Sequence, residues 1–90
     1  MAVTPESIFG EIIYNLRNKE GLTQEQLAAE SYLSRDFISK LENGLRGPSI
    51  RVLSKVGPPL RKSPIELHSI FLKRLYDEGI HDKWVKSRDR

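Results

Sequence analysis

Apolar residues recur along this chain at every third or fourth position, and nowhere in strict alternation. That is the period of helices, not of strands. Ile8, Phe9, Ile12, Ile13 and Leu16 form the first stripe. Thr4-Pro5 precedes it as an N-cap followed by a proline at the first helical position, and Gly21 stops it. The spacing predicts a first helix of about four turns. The next start is Thr23-Gln24-Glu25-Gln26, a capping box in which Thr23 accepts from the Gln26 amide while the Gln26 side chain reaches back. Leu22 and Leu27 flank it as a hydrophobic staple, and Leu27, Ala28 and Ala29 carry the helix to about Glu30. A third start follows at once. Ser34 is its N-cap, Leu33 and Ile38 its staple, and Phe37, Ile38 and Leu41 its apolar face, with Asn43-Gly44 as the stop.

Only Ser31 to Leu33 separate the second and third helices, so the two must cross steeply in a helix-turn-helix arrangement. Gly47-Pro48 marks a loop, after which Ser49 caps a fourth helix through Ile50, Val52, Leu53 and Val56. Gly57-Pro58-Pro59 breaks it, because prolines remove donors and push preceding residues toward extended backbone. Ser63-Pro64-Ile65-Glu66 is a further capping box, opening a fifth helix to Glu78 with Gly79 as its stop. Beyond it, His81 to Arg90 are highly charged and are expected to fray, with Ile80 and Trp84 as possible tethers. No strand, repeat or low-complexity segment is predicted, so the fold class is all-α.

Composition narrows the function. Ninety residues suffice for one small domain, without room for a large internal cavity. The sequence has no cysteine, and its two histidines stand apart at 68 and 81. Disulfides, thiolate metal sites and cysteine nucleophiles are excluded, and no metal or cofactor is expected. No apolar run reaches the ~20 residues that span a bilayer, so no membrane partner is expected and a cytoplasmic location is the default. No nucleophile–base pair and no phosphate-binding glycine loop is present, so an enzyme is not expected. The net charge of +3 is unevenly spread. Residues 1–34 carry two basic and five acidic side chains, whereas residues 35–62 carry seven basic and two acidic. Such asymmetry fits a polyanionic partner facing the middle of the chain, or a solvated basic face.

The motifs in order resemble the Cro/C1-type helix-turn-helix family. The resemblance is carried by Gly10, Leu16-Arg17, Gly21 to Ala28, Leu33-Ser34, Ile38-Ser39, Leu41 to Gly44 and Arg46 to Ser49, with a looser register to about residue 67. It implies a five-helix lambda-repressor-like domain over 1–79, with the helix-turn-helix at helices 2 and 3, and a charged tail over 80–90. It also implies a sequence-specific double-stranded DNA-binding regulator of repressor or controller type, acting as a homodimer.

The third helix is then the one that enters the major groove. Its first exposed positions are Arg35 and Asp36, with Ser39 and Lys40 one turn on. Arg35 can donate two hydrogen bonds to guanine O6 and N7, or contact phosphate. Asp36 can accept from a cytosine amine, hold Arg35, or simply favour the helix N-terminus. Lys40 is expected along the groove wall. The resemblance gives Gln24 and Asn43 phosphate contacts, Asn43 also being suited to a C-cap. Thr23 joins this group, although capping suits it better, and Arg46 is expected on phosphate. The resemblance also places Arg17 against Glu42, linking the first helix to the end of the third, and that ion pair is expected because both positions border the apolar face. On the fifth helix, Ile65, His68, Phe71, Leu72, Leu75 and Tyr76 are expected to form a dimer interface, because its apolar residues cover more than one stripe. An antitoxin-like module that occludes a protein partner through the same helix is the alternative.

Two places depart from the family pattern. Tyr32 stands where a residue tolerant of positive φ is usual, so the turn is expected either to bend differently or to pack Tyr32 on the first helix. Gly57-Pro58-Pro59 falls where the fourth helix usually continues, and a shorter helix with a rigid extended link is expected.

Overall fold

A computed structural model describes residues 3–80. In chain order these form α1 (Pro5–Lys19), α2 (Gln24–Ser31), α3 (Arg35–Glu42), α4 (Ile50–Val56), a 3₁₀ turn (Pro58–Leu60) and α5 (Pro64–Asp77). Each helix opens where its capping residue stands. Thr4, Thr23 and Ser63 close reciprocal capping boxes, and Ser34 and Ser49 accept from the third amide of their helices. These caps satisfy amides that the first turn leaves without partners, at about 1 kcal/mol each. In so short a chain they fix where the helices begin.

The core joins every helix. Phe9 and Ile13 of α1, Leu27 and Ala28 of α2, Ile38 and Leu41 of α3, Val52, Leu53 and Val56 of α4, and Leu67, Phe71 and Leu75 of α5 are all buried. Phe9 and Phe71 meet edge to face, with ring centroids 5.4 Å apart. Gly10 lets α1 lie directly on the end of α3. A Cβ there would run into the Leu41 carbonyl oxygen and come within 2.8 Å of that of Glu42. Ala28 of α2 and Ile38 of α3 are both buried where the two helices pack, so a larger side chain at Ala28 would force them apart.

Three expectations need correction. Tyr32 does not avoid the left-handed region but occupies it, at φ 57° and ψ 38°. Nor does it pack on α1, since it is 86% exposed. The three-residue link allows one sharp reversal, closed by the Leu33 amide donating to the Ala28 carbonyl at 3.0 Å. That bond needs a left-handed residue before it, so tertiary packing overrides Tyr32's local preference at a cost of about 1–2 kcal/mol.

Gly57-Pro58-Pro59 is not an extended link. Its prolines sit in a 3₁₀ turn, whose φ suits them. Gly57 keeps helical angles before a proline because it has no Cβ to clash. A Cβ there would also lie 2.6 Å from the Lys62 carbonyl oxygen. The turn delivers Leu60 into the core at 1% exposure. The shorter α4 is as expected.

The third correction concerns α5. Phe71 and Leu75 are 5% and 0% exposed, buried against the chain's own helices, and are not available to a partner. The helix faces two ways: Leu67, Phe71 and Leu75 inward, Ile65, His68, Leu72 and Tyr76 outward. Ile80 packs partly against the core. Trp84 and the tail lie outside the described residues.

Candidate nucleic-acid interface

The outer edge of α3 is built by its apolar edge. Ile38 and Leu41 are fully buried, with Phe37 partly buried beside them. The 3.6-residue period then turns Arg35 and Asp36 outward, with Ser39 and Lys40 half-buried one turn later. The Ser34 hydroxyl accepts from the Phe37 amide at 3.0 Å and holds the first turn of this edge. Arg35 and Lys40 retain 63% and 42% of their side-chain exposure.

Both cations already have acidic neighbours. Arg35 Nε lies 3.1 Å from Glu25 Oε2, on the first turn of α2. Lys40 Nζ lies 3.1 Å from Asp36 Oδ2, one turn back on α3. Asp36 therefore pairs with Lys40 and not with Arg35. Ser39 accepts from the Asn43 side-chain amide at 3.3 Å, and Asn43 is the C-cap residue of α3. Arg46, in the loop beyond, stacks its guanidinium 5.9 Å from the Phe37 ring centre, a contact that orients a cation without neutralising it.

Behind this edge lies a buried ionic link. Arg17 Nε donates to Glu42 Oε2 at 2.6 Å, a second guanidinium nitrogen donates to Glu42 Oε1 at 3.0 Å, and the third donates to the Leu22 carbonyl at 2.8 Å. The two side chains are 10% and 5% exposed. The hydrogen bond to Glu42 raises the Arg17 pKa above its ordinary value, against the opposing effect of burial. Gln24 completes the cluster, its amide donating to Glu42 Oε1 at 2.9 Å. Gln24 was expected at the DNA backbone; here it is turned onto Glu42, which locks the start of α2 to the end of α3. Thr23 acts as the cap of α2, accepting from the Gln26 amide at 3.0 Å.

Sequence reasoning missed Glu25 and Phe37 as neighbours of this edge. Glu25 and Arg35 are ten residues apart on different helices, so no helical spacing links them. Only the helix-turn-helix crossing brings them together.

Residues 13–67 match the helix-turn-helix family model, more than half of the chain. The chain belongs to the Cro/C1-type helix-turn-helix family. Among its relatives is the HTH-type transcriptional regulator y4dJ of Sinorhizobium fredii, 37% identical over 60 residues, which cover 67% of this chain and 78% of that protein. The control protein C.BamHI of Bacillus amyloliquefaciens is 34% identical over 61 residues, covering 67% and 75%. The chain spans only 41% and 53% of two longer regulators that it also matches. Among solved structures, the restriction-modification controller protein C.Esp1396I superposes with a TM-score of 0.70 at 28% identity, over 83% of this chain and 99% of that one. That structure is a tetramer in complex with its natural 35 base-pair operator. Within this helix-turn-helix family chain, α2 and α3 lie inside the matched segment, and so do Arg17, Glu25, Arg35, Lys40 and Glu42.

Proposed function

We propose that this chain is a non-enzymatic transcriptional regulator that reads duplex DNA sequence with α3 in the major groove, as a homodimer. The observation that carries this reading is the N-capped edge of α3, where Arg35 and Asp36 are exposed and Ser39 and Lys40 half-buried one turn on. A helix has the right width for the major groove, and an Arg fork matches guanine O6 and N7. Arg46 and Asn43 flank the reading edge and meet phosphate, and the amides that open α2 add a backbone contact. Gln24 supports the reading helix through Glu42, and any phosphate contact uses what remains of its donor capacity. The operator complex of C.Esp1396I supports the DNA assignment.

Ile65 and Leu72, 78% and 41% exposed on the outer side of α5, form the centre of the dimer interface, with His68 and Tyr76 at its margin. A two-fold pair would set two α3 helices about one DNA turn (~34 Å) apart. Selection from a random duplex pool tests the reading. A two-fold site with a guanine in each half is expected to emerge, with affinity falling steeply as salt rises. No enrichment at low salt would overturn it. Tight, salt-insensitive capture of a protein without DNA selectivity would favour the antitoxin-like alternative.

A further inference from the structure

Glu25 has no part in the capping box of α2, whose two hydrogen bonds run between Thr23 and Gln26. Its carboxylate instead crosses from α2 to the first residue of the reading helix, 3.1 Å from Arg35 Nε. The two side chains are 67% and 63% exposed, so the pair adds little to stability. Its placement matters more than its strength. It sits on the surface that would face a polyanion, where a carboxylate is the wrong charge for general attraction. The contact is also to Nε, on the side edge of the guanidinium. The planar fork presents its two terminal nitrogens at another edge, which suits an end-on pair of bonds to guanine.

We infer that Glu25 is a specificity-determining positioning residue: it holds Arg35 for end-on reading of guanine and keeps it from serving as a general phosphate contact. This rests on the reading of α3 given above. On unrelated DNA, Arg35 stays with Glu25, and the carboxylate opposes the nearby phosphates. On the cognate site, Arg35 meets guanine without leaving Glu25, so no partner is lost. Asp36 treats Lys40 similarly, at 3.1 Å within one helix. The Glu25 pair differs in joining the two helices of the motif, and so fixes the direction of the fork relative to both.

The test compares the wild type with Glu25→Gln on three probes: the duplex selected by the wild type, the same duplex with its half-site guanines replaced, and a scrambled duplex of equal composition. Glu25→Gln is expected to bind the scrambled duplex about 3- to 10-fold more tightly. The preference for the selected over the guanine-replaced duplex should fall at least about fivefold. The slope of log affinity against log salt on the scrambled duplex should steepen by about 0.9, one added phosphate contact. Glu25→Asp, which keeps the charge, should restore part of the preference. In an Arg35→Ala background, Glu25→Gln should leave the preference unchanged. Equal shifts on all three probes, or an unchanged preference in Glu25→Gln, would overturn the inference while leaving the regulator reading intact. A wild type that selects no sequence would overturn both. An unchanged thermal midpoint in Glu25→Gln separates these effects from misfolding.

Discussion

Tyr32 is the residue at which local preference and fold disagree most. Its left-handed backbone is not offset by burial, since the residue is 86% exposed. What holds it there is its neighbour Leu33, packed against the core and bonded back to Ala28. Tyr32→Gly is therefore expected to stabilise the chain by up to about 1 kcal/mol. The relief of left-handed strain is partly offset by the greater freedom of glycine when unfolded. Urea denaturation measures it, and a loss of stability would show that the ring contributes a contact not yet recognised. Sequence reasoning identified this position as a departure but misjudged its outcome. A propensity speaks only for one residue, while the reversal is demanded by α2 packing on α3 either side of it, with Ala28 and Ile38 both buried. The Arg17–Glu42 link was legible through the family resemblance, with both residues bordering apolar stripes. The turn of Gln24 toward Glu42 was not, because a side-chain amide can serve phosphate or carboxylate equally well.

At the scale of the element, helix starts were the most legible feature, since capping is a local chemistry written within four residues. All five caps fall at the Ser or Thr expected. The 3₁₀ turn at Pro58–Leu60 was not legible, because proline's φ suits extended and tight helical backbone alike; only the need to bury Leu60 decides between them. The α5 capping box also has a pH signature. The Ser63 backbone amide donates to Glu66 Oε1 at 2.8 Å and holds the carboxyl pKa below its ordinary value. A folded pKa below the unfolded one gives stability that is present above the unfolded value. That contribution is lost as pH falls through the folded pKa, on the acid side of the ordinary carboxylate range. Glu66→Gln keeps the reciprocal cap without the titration. Its thermal midpoint is expected to fall less between pH 7 and pH 3 than that of the wild type. An identical fall in both would remove Glu66 from the acid response.

At the scale of the whole molecule, α5 divides its apolar residues between a buried face and an exposed one. The sequence showed that one stripe could not account for them all, but not which residues belonged to which side. That division depends on the angle at which α5 meets α1 and α4, a property no local pattern contains. Leu72→Glu is expected to leave the thermal midpoint within a few degrees of the wild type, because the side chain is 41% exposed. The same change should shift sedimentation toward monomer and weaken binding to a two-half-site duplex at least about tenfold. Affinity for a single half-site should be nearly unaffected. Phe71→Glu, one residue earlier, should instead unfold the chain, since it places an unpaired charge in the core. A Leu72→Glu protein that still sediments as a dimer would move the interface away from α5.

The charge asymmetry, the outward start of α3 and the ionic link behind it all bear on the event proposed above, the reading of a base pair by Arg35. The most direct measurement is the affinity of Arg35→Ala for the selected duplex and for duplexes substituted one base pair at a time. We expect a loss of about 1–3 kcal/mol on the selected site, with discrimination relaxed at a single base pair in each half and retained elsewhere. An equal loss on every duplex would make Arg35 a phosphate contact, and no loss at all would contradict the assignment of α3 as the reading helix.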